Sequence, residues 1–132
     1  MSLHTYQLKR GKALVIVGPQ GCGKSILSQA IANRHGSMQT IRTGPDWEFS
    51  LRDALNGKVQ VLIVDGVPSQ AEMADIKCMV IQPQILYFSV ESKRPESYPS
   101  PLIIITAPDT DWMHEGTRRF DVIDMSKAVG HV

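Results

Sequence analysis

The chain has 132 residues, a formal net charge of +1, 42% hydrophobic residues and 20% charged ones, which excludes wholesale disorder and a global electrostatic pull on nucleic acid, so any basic contact must be local. No apolar run approaches the roughly 20 residues that span a bilayer, and the polar segment Met1 to Lys12 lacks the apolar stretch of a signal peptide. Cys22 and Cys78 are too few for a disulfide framework and fit a reducing cytosol, so a cytoplasmic protein without membrane contact is expected.

Residues 13–17 (Ala-Leu-Val-Ile-Val) are a short apolar run that reads as a buried strand. Residues 25–34 read as a helix, because Ile26, Leu27, Ala30 and Ile31 recur at one-turn spacing and Gly36 stands where a C-terminal cap would fall. Residues 38–42 are a weaker strand. Residues 47–55 look helical, with Asp46 as N-cap and Asn56-Gly57 as the stop. Residues 59–64 form the clearest strand, continuous and β-branched, as a parallel sheet covered on both faces requires. Ser69 and Glu72 make an S-x-x-E capping box, followed by Met73, Ile76 and Val80 at helical spacing. Residues 85–91 form a further strand. The polar, proline-rich stretch 91–101 reads as a turn or exposed loop. Residues 102–106 are another buried strand, and 120–125 can form a last one. His35 and His114 have no visible partner and are expected to be exposed. The alternation predicts an α/β fold: a three-layer sandwich with a mainly parallel sheet, one domain over 1–132 with its core at about 13–125.

Between the first strand and the first helix the text is Gly18-Pro19-Gln20-Gly21-Cys22-Gly23-Lys24-Ser25, a full match to G-x-x-x-x-G-K-[ST]. Glycines there let the backbone approach phosphate oxygens, and N–H groups of the loop and the helix start, up to Ile26, point at the anion. Lys24 would reach the β- and γ-phosphates of ATP, and Ser25 would place its hydroxyl on Mg²⁺. Cys22 occupies a variable position and reads as a small residue that fits. Asp65 ends the apolar strand, so it faces the loop across the carboxyl ends of the sheet and would hold Mg²⁺; Asp65-Gly66 also fits a plain turn. The acid that many ATPases carry directly after this aspartate is Gly66 here. Glu72 and Asp75 are the nearby carboxylates that could substitute, or else a cap partner and a solvated face. Thr106, at the end of its strand, is a candidate sensor of the γ-phosphate or of attacking water. Lys93-Arg94, with Tyr98 nearby, could contact single-stranded nucleic acid, though two charges beside Glu91 and Glu96 read first as a solvated turn. Arg118-Arg119 could supply transition-state charge or form a surface pair.

Taken in order, Ile-Leu-Tyr-Phe-Ser-Val-Glu-Ser-Lys from Ile85, Leu-Ile-Ile-Ile-Thr ending at Thr106, Trp112, and Arg118-Arg119-Phe120-Asp-Val-Ile-Asp-Met125 resemble the ATPase core of superfamily 3 helicases, the AAA+-related Rep-type proteins of small DNA viruses, phages and plasmids. The resemblance implies an AAA+-like P-loop core in which Lys93 or Arg94 lies at a DNA-contacting hairpin tip. It also implies that Thr106 lies in the sensor strand, and that Arg118 or Arg119 is an arginine finger reaching a neighbouring subunit of a homo-oligomer. Gly66 departs from the family pattern, and so does Pro108, which stands where the family has a sensor asparagine. With only a short segment before residue 13, a minimal replication-associated ATPase is expected rather than a full processive helicase. The alternatives are a small-molecule or nucleotide kinase, with Arg118 and Arg119 clamping a second phosphate, and a nucleotide-gated binding module with little hydrolysis.

Overall fold

The structure, a computed structural model, describes residues 3–89, 92–113 and 118–126. Seven strands and three α-helices follow one another as β1 (Ala13–Val17), α1 (Lys24–Asn33), β2 (Met38–Arg42), α2 (Trp47–Asn56), β3 (Val61–Asp65), α3 (Gln70–Ile81), β4 (Gln84–Ser89), β5 (Arg94–Pro99), β6 (Leu102–Ala107) and β7 (Phe120–Asp124). A short 3-10 turn, Leu3–Thr5, precedes β1.

Five strands form one sheet in the order β2-β3-β6-β1-β7, and every pairing in it is parallel. Parallel neighbours need crossover connections, and the helices supply them. Because side chains alternate across a strand, each strand feeds two cores. Leu14, Ile16, Ile63 and Ile104 pack with Leu27 and Ile31 of α1 on one face. Val15, Val17, Leu62, Val64, Ile103 and Ile105 pack with Trp47 and Leu51 of α2 and with Ile76 and Met79 of α3 on the other. The result is the expected α/β three-layer P-loop fold, helix on sheet on helices.

The capping box at the head of α3 forms as the spacing predicts. Ser69 Oγ accepts from Glu72 N at 3.2 Å, and Ser69 N donates to Glu72 Oε1 at 2.8 Å. Asp46 is the N-cap position of α2 but makes no side-chain cap bond, and Gly57 ends that helix. Three expectations are corrected. The stretch 91–101 is not merely a loop, because Arg94–Pro99 pairs antiparallel with Gln84–Ser89 as a separate two-stranded hairpin. Its prolines are tolerated because β5 has a partner on one side only. Arg34, not Gly36, is the C-cap of α1; Gly36 sits at φ +134, against Gln60. His35 is half-buried and has a partner, its Nε2 accepting from Leu8 N at 3.2 Å. His114 lies outside the described residues.

Candidate functional site

In a parallel sheet all strands present their carboxyl ends at one edge. Strand register aligns Arg42 with Asp65, Asp65 with Thr106, and Thr106 with Ile16, so one row of side chains crosses β2, β3, β6 and β1 at that edge. Asp65 and Thr106 share the parity of Ile63 and Ile104, so the row faces α1, whose first turn carries Lys24 and Ser25. The loop between β1 and α1 closes over this edge. The sequence thus brings Lys24, Ser25, Asp65 and Thr106 together around an open cleft of ≈ 650 Å³, lined also by Gln20, Gly21 and Ile26 of the loop and helix start.

The loop's geometry is glycine-dependent at specific points. Gly21 and Gly23 take φ +84 and +95, a left-handed conformation that side chains resist. A Cβ on Gly18 would stand 2.7 Å from Cys22 Sγ and 3.3 Å from Met125 Cβ. Cys22 is therefore a small side chain folded back against the loop, as expected, and Met125 at the end of β7 buttresses it. Lys24 Nζ is held by the loop's own carbonyls, Gly18 O and, at 3.2 Å, Pro19 O. An ammonium so placed sits at the loop rather than on the protein surface. These features fit a phosphate group: a loop whose glycines take conformations that side chains resist, a helix N-terminus, and a positioned cation.

Thr106 is 4% exposed and donates its hydroxyl to Asp65 Oδ1 at 3.0 Å. That bond fixes the carboxylate's rotamer and leaves Oδ2 toward the cleft. Oδ2 meets Arg42 at 3.9 Å, an exposed pair with the Arg42 side chain 85% accessible. Arg42 is a site residue that the sequence reading missed. Among the described residues no cluster of three or more His, Cys, Asp or Glu could hold a metal alone. The donor set here, a serine hydroxyl and one carboxylate, is that of a magnesium ion whose remaining ligands are phosphate oxygens and water.

Gly66 is more than a missing acid. It takes φ +117, its amide donates to Thr106 O at 2.9 Å, and a Cβ there would stand 2.4 Å from Thr43 Oγ1. The two nearby carboxylates are committed elsewhere. Glu72 is 7% exposed; its Oε2 accepts from Gly44 N at 2.7 Å while Oε1 serves the capping box. Asp75 accepts from Trp47 Nε1 at 2.9 Å. Both carboxylates are thus engaged in bonds that hold the fold.

Lys93 and Arg94 stand at the far end of the hairpin, Lys93 at φ +59 and both exposed. The hairpin is rooted by Tyr98, whose hydroxyl donates to Asn56 Oδ1 at 2.9 Å. Arg118 and Arg119 are exposed and precede β7, whose first residue, Phe120, is in register with Ala13 at the start of β1. They therefore lie at the amino edge of the sheet, opposite the phosphate loop. Arg119 Nη1 donates to Gly11 O at 3.4 Å. With Lys77 and Ile81 the two arginines line a separate hollow of ≈ 370 Å³.

A family model described as ABC transporter (ABC_tran) matches residues 3–127. No curated protein sequence matches the chain significantly. Among solved structures, the chain is similar to the NrS-1 C-terminal region in its A-form apo state, with TM-score 0.62 and 18% identity over 96% of this chain and 32% of that one. It is also similar to the JCV helicase with a bound inhibitor, with TM-score 0.54 and 17% identity over 87% of this chain and 35% of that one. The chain spans about a third of the length of these structures. At such identities the likeness shows the fold. No helix among the described residues is long and apolar enough to cross a membrane.

Proposed function

The chain belongs to the ABC transporter family (ABC_tran), an ATP-binding P-loop family, and on that premise we propose that it is a minimal replication-associated ATPase, a helicase-like module of the kind phages and plasmids use, acting on single-stranded DNA in the cytoplasm as a homo-oligomer. The observation that carries this reading is the hairpin with Lys93 and Arg94 at its end, inserted between α3 and the Thr106 strand of a β2-β3-β6-β1-β7 sheet. A nucleotide fold alone does not call for such a hairpin. A basic end on a projecting element is what a phosphate backbone recognises.

The residues divide the work by position. The loop from Gly18 to Gly23 would receive the phosphates on backbone N–H groups, and Lys24 would exchange its carbonyl partners for phosphate oxygens. Ser25 and Asp65 would hold Mg²⁺, with Thr106 keeping the Asp65 carboxylate aligned. The metal neutralises charge on the β- and γ-oxygens when bound. Arg118 and Arg119, at the opposite edge from their own cleft, would serve a neighbouring subunit's nucleotide. The register of β7 with β1, which sets both arginines at the amino edge of the sheet, supports that placement.

The test is ATP hydrolysis measured against protein concentration, with and without single-stranded DNA. Specific activity is expected to rise with concentration. Lys24→Ala should lose ATP binding while staying folded. Arg118→Ala with Arg119→Ala should bind ATP but lose the concentration-dependent rise, and mixing the two variants should restore part of it. An arginine acting in trans is worth roughly 10³- to 10⁵-fold in rate, so the effect is large. Turnover independent of concentration and DNA would overturn the reading.

A further inference from the structure

We propose that Arg42 is a γ-phosphate ligand of its own subunit, the residue by which this site distinguishes a nucleoside triphosphate from a diphosphate. The inference rests on the ATP-binding reading above and deepens it.

Arg42 ends β2 in register with Asp65, on the same side of the sheet as Thr106 and the start of α1. It lines the cleft that Lys24, Ser25 and Asp65 line, and among the described lining residues only Lys24 is also cationic. Its side chain is 85% accessible, and its ion pair among the described residues, 3.9 Å to Asp65 Oδ2, is long and exposed. Such a pair holds a side chain in place only weakly. The same Asp65 is the carboxylate a magnesium ion would claim. A guanidinium that shares its partner with the metal is free to turn to the anion beside that metal.

Position decides which anion. Strands lie about 4.8 Å apart, so β2 is roughly 14 Å from β1, on the far side of Asp65 from the phosphate loop. Lys24 and the metal mark the β- and γ-phosphates. A cation beyond Asp65 therefore faces the terminal phosphate and not the base. The other described groups on that side are uncharged: Thr40 and Thr43 offer only hydroxyls, Gly66 has no side chain, Pro108 has no N–H, and the Thr106 hydroxyl donates to Asp65. Arginine's fork suits a terminal phosphate, with two donors on two oxygens.

Isothermal titration with Mg²⁺ and either AMP-PNP or ADP tests this without relying on turnover. Arg42→Ala is expected to weaken AMP-PNP binding about 10- to 100-fold, the range for a charge-assisted bond, while changing ADP affinity less than 3-fold. Arg42→Lys should recover part of the AMP-PNP affinity. Because Arg42 is exposed, the variants should melt with the wild type. Equal losses for both nucleotides, or no loss for either, in a protein whose wild type binds AMP-PNP overturn the assignment while leaving the ATP-binding reading intact. A wild type that binds neither nucleotide overturns both.

Discussion

Installing the absent acid is expected to fail for a reason of backbone geometry. Gly66→Glu places a side chain at φ +117, a conformation that costs a non-glycine residue on the order of 1–3 kcal/mol. The new Cβ also meets Thr43 Oγ1 at 2.4 Å. Thr43 is itself held, since its amide donates to Asp65 O at 3.2 Å, but its hydroxyl can rotate, so the clash adds less than the backbone term. We expect Gly66→Ala to lose about 1–3 kcal/mol in urea denaturation, roughly 3–10 °C in Tm for a domain of this size. Gly66→Glu should lose at least as much, and ATP turnover should fall. Thr43→Ala leaves the next contact at the Thr43 Cβ position, 3.6 Å away, so in a double-mutant cycle it should relieve the clash and not the strain. A Gly66→Ala variant within about 0.5 kcal/mol of wild type, the scatter of ordinary surface changes, would refute this reasoning.

Glu72→Ala removes the acceptor for both Ser69 N and Gly44 N at a buried point; a stability loss of about 1–3 kcal/mol is expected, with the loop before α2 gaining amide exchange, and an unchanged denaturation midpoint would contradict it. Asp121 accepts from the Tyr6 hydroxyl at 2.6 Å and lies 3.4 Å from Lys12 Nζ; the Tyr6 bond above all holds its carboxyl below the ordinary range. A depressed carboxyl stabilises the fold above its unfolded value, about 3.9, and that contribution fades as pH drops through the folded value. Asp121→Asn should therefore lower Tm at pH 7, and the deficit should shrink as pH falls below the unfolded value; a deficit that does not change with pH would exclude the charged carboxylate as its cause. Lys93→Glu with Arg94→Glu should abolish single-stranded DNA binding that wild type loses as salt rises, whereas binding that survives both reversals would place the contact elsewhere.

Much of the site could be read from the sequence because its chemistry is local. The phosphate loop, the strand-terminal Asp65 and the Ser69–Glu72 cap are each defined by residues a few positions apart, and each stands where its spacing predicts. What escaped depends on partners distant in sequence. Arg42 gains its meaning from register with Asp65, and β2 carries too weak an apolar pattern, with Gln39 and Thr40 in it, to reveal that register. The β5 strand reads as a loop because Pro95 and Pro99 are poor strand residues, and only an edge position in a two-stranded hairpin excuses them. His35 accepts from a backbone amide 27 residues earlier, a partner no side-chain pattern displays. Gly66 reads in sequence as a missing acid, but its φ of +117, with Thr43 where a Cβ would stand, makes glycine a requirement of the turn.

Helix α3 has a mechanical consequence. It begins five residues after Asp65, capped at Ser69, and it ends three residues before the hairpin strand β4. Its twelve residues make a strut of about 18 Å, running from the metal-side edge of the sheet to the root of the basic hairpin. A helix is stiff along its axis. Were α3 to move as a rigid body on the sheet that Ile76, Met79 and Val80 pack against, a tilt of ten degrees at one end would shift the other by about 3 Å. Spin labels at Lys93 and in the phosphate loop would read such a shift as a change of distance when nucleotide is added.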